Sequence, residues 1–146
     1  MIKHSGTAVW SGGLKDGTGK ISTESGVLDN AQYGFHTRFE QGAGTNPEEL
    51  IGAAHAGCFT MALAAQLGEA GMTPKRLMTT ATVTLEKIDD GYTISAVHLN
   101  LEAVIPGANE KAFEEAALKA KLGCPVSKLL NAHITLDARL ETDTLR

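Results

Sequence analysis

At 146 residues the chain can enclose one hydrophobic core but not two joined by a linker, so a single domain spanning residues 1–146 is expected. Thirteen Lys and Arg against seventeen Asp and Glu leave a net charge of −4, without a basic cluster or an acidic tail, which argues against nucleic acid as a partner. The first residues, Met1-Ile2-Lys3-His4-Ser5-Gly6, lack the apolar run of a secretion signal, so a cytosolic protein is expected.

The first thirty residues set Gly12-Gly13, Asp16-Gly17, Gly19 and Gly26 between two strand-like pieces, Thr7 to Trp10 and Lys20 to Thr23. That pattern predicts meandering β structure with tight turns. From Tyr33 to Glu40 the residues alternate, with Tyr33, Phe35, Thr37 and Phe39 on one side and Gly34, His36, Arg38 and Glu40 on the other. A strand here would put Arg38 opposite the aromatic face. Asn46-Pro47-Glu48-Glu49 is a strong helix start, with a side-chain cap, a proline at the first position and two acids near the positive end of the dipole. The helix should run to about Ala70 and stop at Gly71.

Leu50 to Leu67 is nearly all apolar and approaches the ~20 residues of a membrane span. His55, Thr60 and Gln66 interrupt it and its flanks are acidic, so the reading is a central helix in a protein interior, with no membrane partner. A helix apolar on all sides needs cover all round, more than one sheet and one small helix supply. A second subunit would supply the rest.

Two long strands follow, Met78 to Ile88 and Tyr92 to about Ile105, joined at Asp89-Asp90-Gly91, and the second changes its apolar parity, which predicts a bulge near Ala96. Asn109 caps a helix with the apolar stripe Ala112, Phe113, Ala116, Ala117 and Ala120, ended by Gly123. Pro125 starts a short helix through Leu130, and the last strand faces Ile134, Leu136, Ala138 and Leu140 inward. The order of strands, long helix, strands, two helices and strand is α+β.

Chemistry concentrates on two thiols. In a reducing compartment a lasting structural disulfide is disfavoured and a transient one is compatible. Cys58 lies midway along the central helix, where a cysteine is commonly inert core. Cys124 opens a short helix in Gly123-Cys124-Pro125, a place that favours a thiolate. There is no Cys-x-x-Cys, no metal spacing among the histidines, no phosphate loop and no Gly-x-Ser-x-Gly elbow, so neither a metal site nor a cofactor is expected. Arg38, Glu48, Glu49 and His55 are individually ordinary.

Four segments in combination carry a resemblance: Thr23-Glu24-Ser25-Gly26-Val27-Leu28; Tyr33-Gly34-Phe35 with Thr37-Arg38-Phe39-Glu40; Gly44-Thr45-Asn46-Pro47-Glu48-Glu49-Leu50-Ile51-Gly52-Ala53-Ala54-His55-Ala56 with Cys58-Phe59; and Gly123-Cys124-Pro125-Val126-Ser127. Together they resemble the OsmC branch of the OsmC/Ohr family of organic hydroperoxide reductases, over essentially the whole chain. The resemblance implies antiparallel sheets around a long buried central helix in an intertwined homodimer. It implies that Cys58 is the peroxidatic cysteine and Cys124 the resolving one, with Arg38 and Glu48 paired beside the thiolate; Glu49 is a rival for that acidic role. It also implies a stress-response peroxidase whose substrate is an organic hydroperoxide and whose reductant is a dithiol, a lipoylated protein by analogy with the Ohr branch. Two other readings stand beside it: a non-catalytic stress-induced binding or structural dimer of the same fold, and a cysteine hydrolase with His55 as base.

Overall fold

The computed structural model describes residues 1–142. It forms two compact units, Met1–Leu50 and Ile51 onward.

The first unit is a three-stranded antiparallel sheet in the order β1 (Gly6–Ser11), β2 (Thr18–Thr23), β3 (Ala31–Tyr33). After β3 the expected strand does not continue. Phe35–Phe39 instead makes one helical turn, α1. The reason is local: Gly34, itself extended, caps the turn, and the Thr37 hydroxyl accepts from the Gly34 amide at 2.8 Å and donates to the Gly34 carbonyl at 2.9 Å. Phe35 and Phe39, four apart, then lie on one side with ring centroids 5.1 Å apart, and His36 meets Glu40 at 2.6 Å. Aromatics at 35 and 39 fit a period of two and a period of four equally well. Arg38 is therefore not opposite the aromatic face: its guanidinium lies 5.3 Å from the Phe39 ring centroid.

The long helix α2 spans Pro47–Glu69. The Asn46 side chain accepts from the Glu49 amide at 2.7 Å and donates to the Thr37 carbonyl at 2.9 Å, tying the helix start to α1. Asn46→Ala is expected to cost about 1 kcal/mol, read as a lower urea midpoint at unchanged m-value.

In the second unit β4 (Arg76–Ile88) and β5 (Gly91–Val104) form a long antiparallel hairpin, turned through Asp89 at φ 56°. Thr84 pairs with Ala96 and Leu85 with Ile94, so Ser95 is the extra residue of the expected bulge. Asn109 caps α3 (Glu110–Gly123) by accepting from the Ala112 amide at 2.9 Å, and Phe113, Ala116, Ala117 and Ala120 are buried. Next come α4 (Pro125–Leu129) and β6 (His133–Glu141). The sheet order is β4-β5-β6, but β6 runs parallel to β5, because α3 and α4 form a crossover that returns the chain to the end from which β5 started. Ala138, expected inward, is exposed.

The part of α2 in this unit docks on β4. A Cβ on Gly52 would stand 3.0 Å from the Ala81 carbonyl oxygen, and Thr60 reaches Thr79 at 2.7 Å. Along α2 a stripe of Gly52, His55, Phe59, Leu63 and Leu67 is buried, and Phe59, Leu63 and Leu67 join Val97, Leu99, Leu101 and Phe113 in the core. The opposite face, Ala53, Ala54, Gly57, Met61, Ala64 and Ala65, is exposed in the single chain. α2 is long and apolar enough, by length and composition, to cross a membrane, yet its buried stripe is that of a helix packed on a sheet.

Candidate active site

α2 and α4 bring the two cysteines together. Both are free thiols, Cys58 half-buried and Cys124 fully buried. Cys124 is at once the last cap of α3, donating its amide to the Ala120 carbonyl at 2.9 Å, and the first cap of α4, accepting from the Lys128 amide at 3.1 Å. Its side chain makes no capping hydrogen bond to α4 and meets Cys58. Burial pushes the Cys58 thiol up from its ordinary value, the hydrogen bond it shares with Cys124 pushes the same way, and the Val126 backbone amide, donating to the sulfur, pulls it back. Left to these partners Cys58 stays protonated near neutral pH.

In the first unit Arg38 and Glu48 meet: Arg38 Nε donates to Glu48 Oε1 at 2.8 Å. Glu48 is buried and its Oε2 has no partner, whereas Glu49 accepts from the Thr45 hydroxyl at 2.8 Å. Glu48, not Glu49, is the acid that holds Arg38. Beside Arg38 an open-sided pocket of about 190 Å³ is lined mainly by Trp10, Leu14, Tyr33, Phe35 and Phe39. Trp10 and Tyr33 meet edge to face at 5.6 Å.

His55 turns to Ser127. Its Nε2 is 2.8 Å from the Ser127 hydroxyl on α4, and burial pushes its pKa down from the usual 6.5, so the ring is neutral. Among the described residues no three His, Cys, Asp or Glu side chains cluster closely enough to hold a metal ion.

Residues 40–139 match the family described as OsmC-like protein. The chain belongs to that family. It is 54% identical over 141 residues to the "Peroxiredoxin OsmC" of Escherichia coli (strain K12) and to that of Shigella flexneri, covering 97% of this chain and 99% of each relative. Among solved structures, an OsmC-like protein of unknown function from Vibrio cholerae superposes with a TM-score of 0.76 at 17% identity, covering 94% of this chain and 99% of that one. The organic hydroperoxide resistance protein OhrB of Bacillus subtilis gives 0.66 at 23% identity, covering 94% and 98%. These two share the OsmC-like fold.

Sequence reasoning did not find the Val126 amide at Cys58, the His55–Ser127 bond or the aromatic lining beside Arg38. The only signal for the second was that His55 precedes Cys58 by three residues and Ser127 follows Cys124 by three, one helical turn in each case.

Proposed function

We propose that this chain is a thiol-dependent peroxidase that reduces organic hydroperoxides to alcohols, with Cys58 attacking and Cys124 resolving. The observation that carries the reading is the pair of reduced cysteines that two helices bring beside each other, in a chain 54% identical to proteins named peroxiredoxin. Cys58 thiolate attacks the O–O bond, taking one oxygen as a sulfenic acid while the departing alkoxide collects a proton and leaves as the alcohol. The Cys124 thiol condenses with the sulfenic acid, forming the disulfide and releasing water. An external dithiol, with lipoylated protein the candidate carrier, then restores both thiols.

Thiolate formation needs a cation to overcome burial and the neighbouring thiol. Arg38, held by buried Glu48, suits the task, and its guanidinium would also stabilise the leaving alkoxide. Glu48 and Cys58 are ten residues apart on one helix, about 15 Å along its axis, farther than a Glu side chain reaches. Two chains with α2 helices antiparallel about a two-fold axis would bring the Arg38–Glu48 pair of one beside Cys58 of the other. The same homodimer would cover the exposed face Ala53, Gly57, Met61 and Ala64, whose small residues allow close helix approach, and the open trough of about 460 Å³ that Gly57, Met61 and Ala64 border with Leu77 and Met78. The aromatic lining beside Arg38 favours an alkyl or aryl hydroperoxide over hydrogen peroxide. The cytosol, which keeps both thiols reduced, is the setting that fits such a cycle.

Arg38→Lys is expected to retain only part of the peroxide-step rate, because a point charge cannot keep both the Glu48 contact and the planar approach to the thiolate. Arg38→Ala should lose more, with a raised Cys58 pKa. Iodoacetamide alkylation of Cys58 across pH checks this; coincident profiles in all three proteins would remove Arg38 from the site.

A further inference from the structure

His55 is fully buried and Ser127 nearly so, and their hydrogen bond of 2.8 Å joins α2 to α4. His55 Nδ1 has no partner. A buried acceptor without a donor is less costly than a buried N–H without an acceptor, so the proton belongs on Nε2 and is donated to the Ser127 oxygen. Such a bond could simply fill a polar gap. Its position argues for more: it lies one helical turn from Cys58 on α2 and one turn from Cys124 on α4.

α4 has five residues, too few to be stable on its own backbone hydrogen bonds. It needs anchors outside itself. Val126 and Leu130 pack partly buried against the core, a contact that resists separation but tolerates sliding, whereas a buried hydrogen bond fixes direction and register. Cys124 is the joint between α3 and α4, so a slide or rotation of α4 moves its thiol. A disulfide of about 2.05 Å is shorter than any thiol–thiol hydrogen bond, so resolution depends on a well-aimed approach.

We propose that the His55–Ser127 hydrogen bond is a positioning device for the resolving step, holding α4 in register so that Cys124 captures the Cys58 sulfenic acid before a second hydroperoxide does. The inference rests on the cysteine roles proposed above. Two reactions compete for one intermediate. In the first, the sulfenic acid and the Cys124 thiol give the disulfide and water. In the second, the sulfenic acid takes an oxygen from another hydroperoxide, giving a sulfinic acid and the alcohol. His55 and Ser127 touch neither reacting sulfur in the chemistry. They act through the placement of Cys124.

The test is the ratio of Cys58 sulfinate to Cys58–Cys124 disulfide, read by intact and peptide mass spectrometry at matched extents of Cys58 oxidation in excess cumene hydroperoxide. Ser127→Ala is expected to raise that ratio about threefold to tenfold, the net worth of one buried hydrogen bond. Ser127→Ala leaves His55 without a partner and costs stability, so the double variant His55→Phe/Ser127→Ala, which removes both polar groups, is measured beside it. Its thermal midpoint should recover toward wild type while the ratio stays raised. An unchanged ratio in Ser127→Ala would overturn the inference, as would a double variant that recovers both stability and ratio. Failure of the underlying cysteine reading looks different: the unaltered chain would then form no Cys58–Cys124 disulfide at all.

Discussion

Cys58→Ser is expected to abolish even a single turnover of hydroperoxide, while Cys124→Ser still consumes one equivalent. The asymmetry follows from the two environments. Cys58 is half-buried, with a backbone amide from Val126 at its sulfur, so an entering substrate meets it first. Cys124 is fully buried at the joint of two helices, out of reach of a bulky hydroperoxide but able to meet a sulfenic acid at Cys58. A serine at 58 leaves no nucleophile of comparable strength. A serine at 124 leaves the first step standing, and the product is a sulfenate that dimedone traps or that oxidises further. Stopped-flow thiol loss with mass analysis of the quenched protein separates the two variants. Equal loss of the first turnover in both would dissolve the assignment.

Mixing two chains that are each inactive or nearly so alone is expected to restore about a quarter of the unaltered activity. Cys58→Ser and Arg38→Ala chains, co-refolded, pair at random, so about half the dimers are mixed. If each site takes Cys58 from one chain and Arg38 from the other, every mixed dimer holds one intact site and one lacking both groups. Activity of that size should appear only in the mixture. No recovery, with mixed dimers confirmed by mass spectrometry, would place the Arg38 and Cys58 of one site in the same chain and remove the reason for antiparallel α2 helices.

Where the sequence carries its own punctuation, the fold was readable from it. Asn46-Pro47-Glu48-Glu49 marks the start of α2 through a cap that binds its own Glu49 amide, and the Ala112 to Ala120 stripe marks the buried side of α3. Both signals are local. The turn at Phe35–Phe39 escaped because its aromatic spacing suits strand and helix alike, and the deciding contact, Thr37 on Gly34, gives no periodic sign. β6 escaped in its direction, since alternation in a strand says nothing about which way its neighbour runs. The apolar run of α2 hid which face is buried, because alanines and glycines occupy both.

The candidate site divides the same way. Cys58, Cys124, Arg38 and Glu48 came from a resemblance of motifs, and the structure pairs them two by two, Cys58 with Cys124 and Arg38 with Glu48. The contact of His55 with Ser127, across 72 positions of sequence, is set by how α4 returns over α2. No spacing rule reaches that far.

The most direct test of the peroxidase reading is steady-state turnover of cumene hydroperoxide against hydrogen peroxide, with dithiothreitol or dihydrolipoamide as reductant. Dithiol-dependent turnover that is faster on the organic substrate and passes through a Cys58–Cys124 disulfide is the expected result. Both cysteines remaining free thiols after exposure to the hydroperoxide, with no substrate consumed, would contradict it and leave a non-catalytic dimer of the same fold.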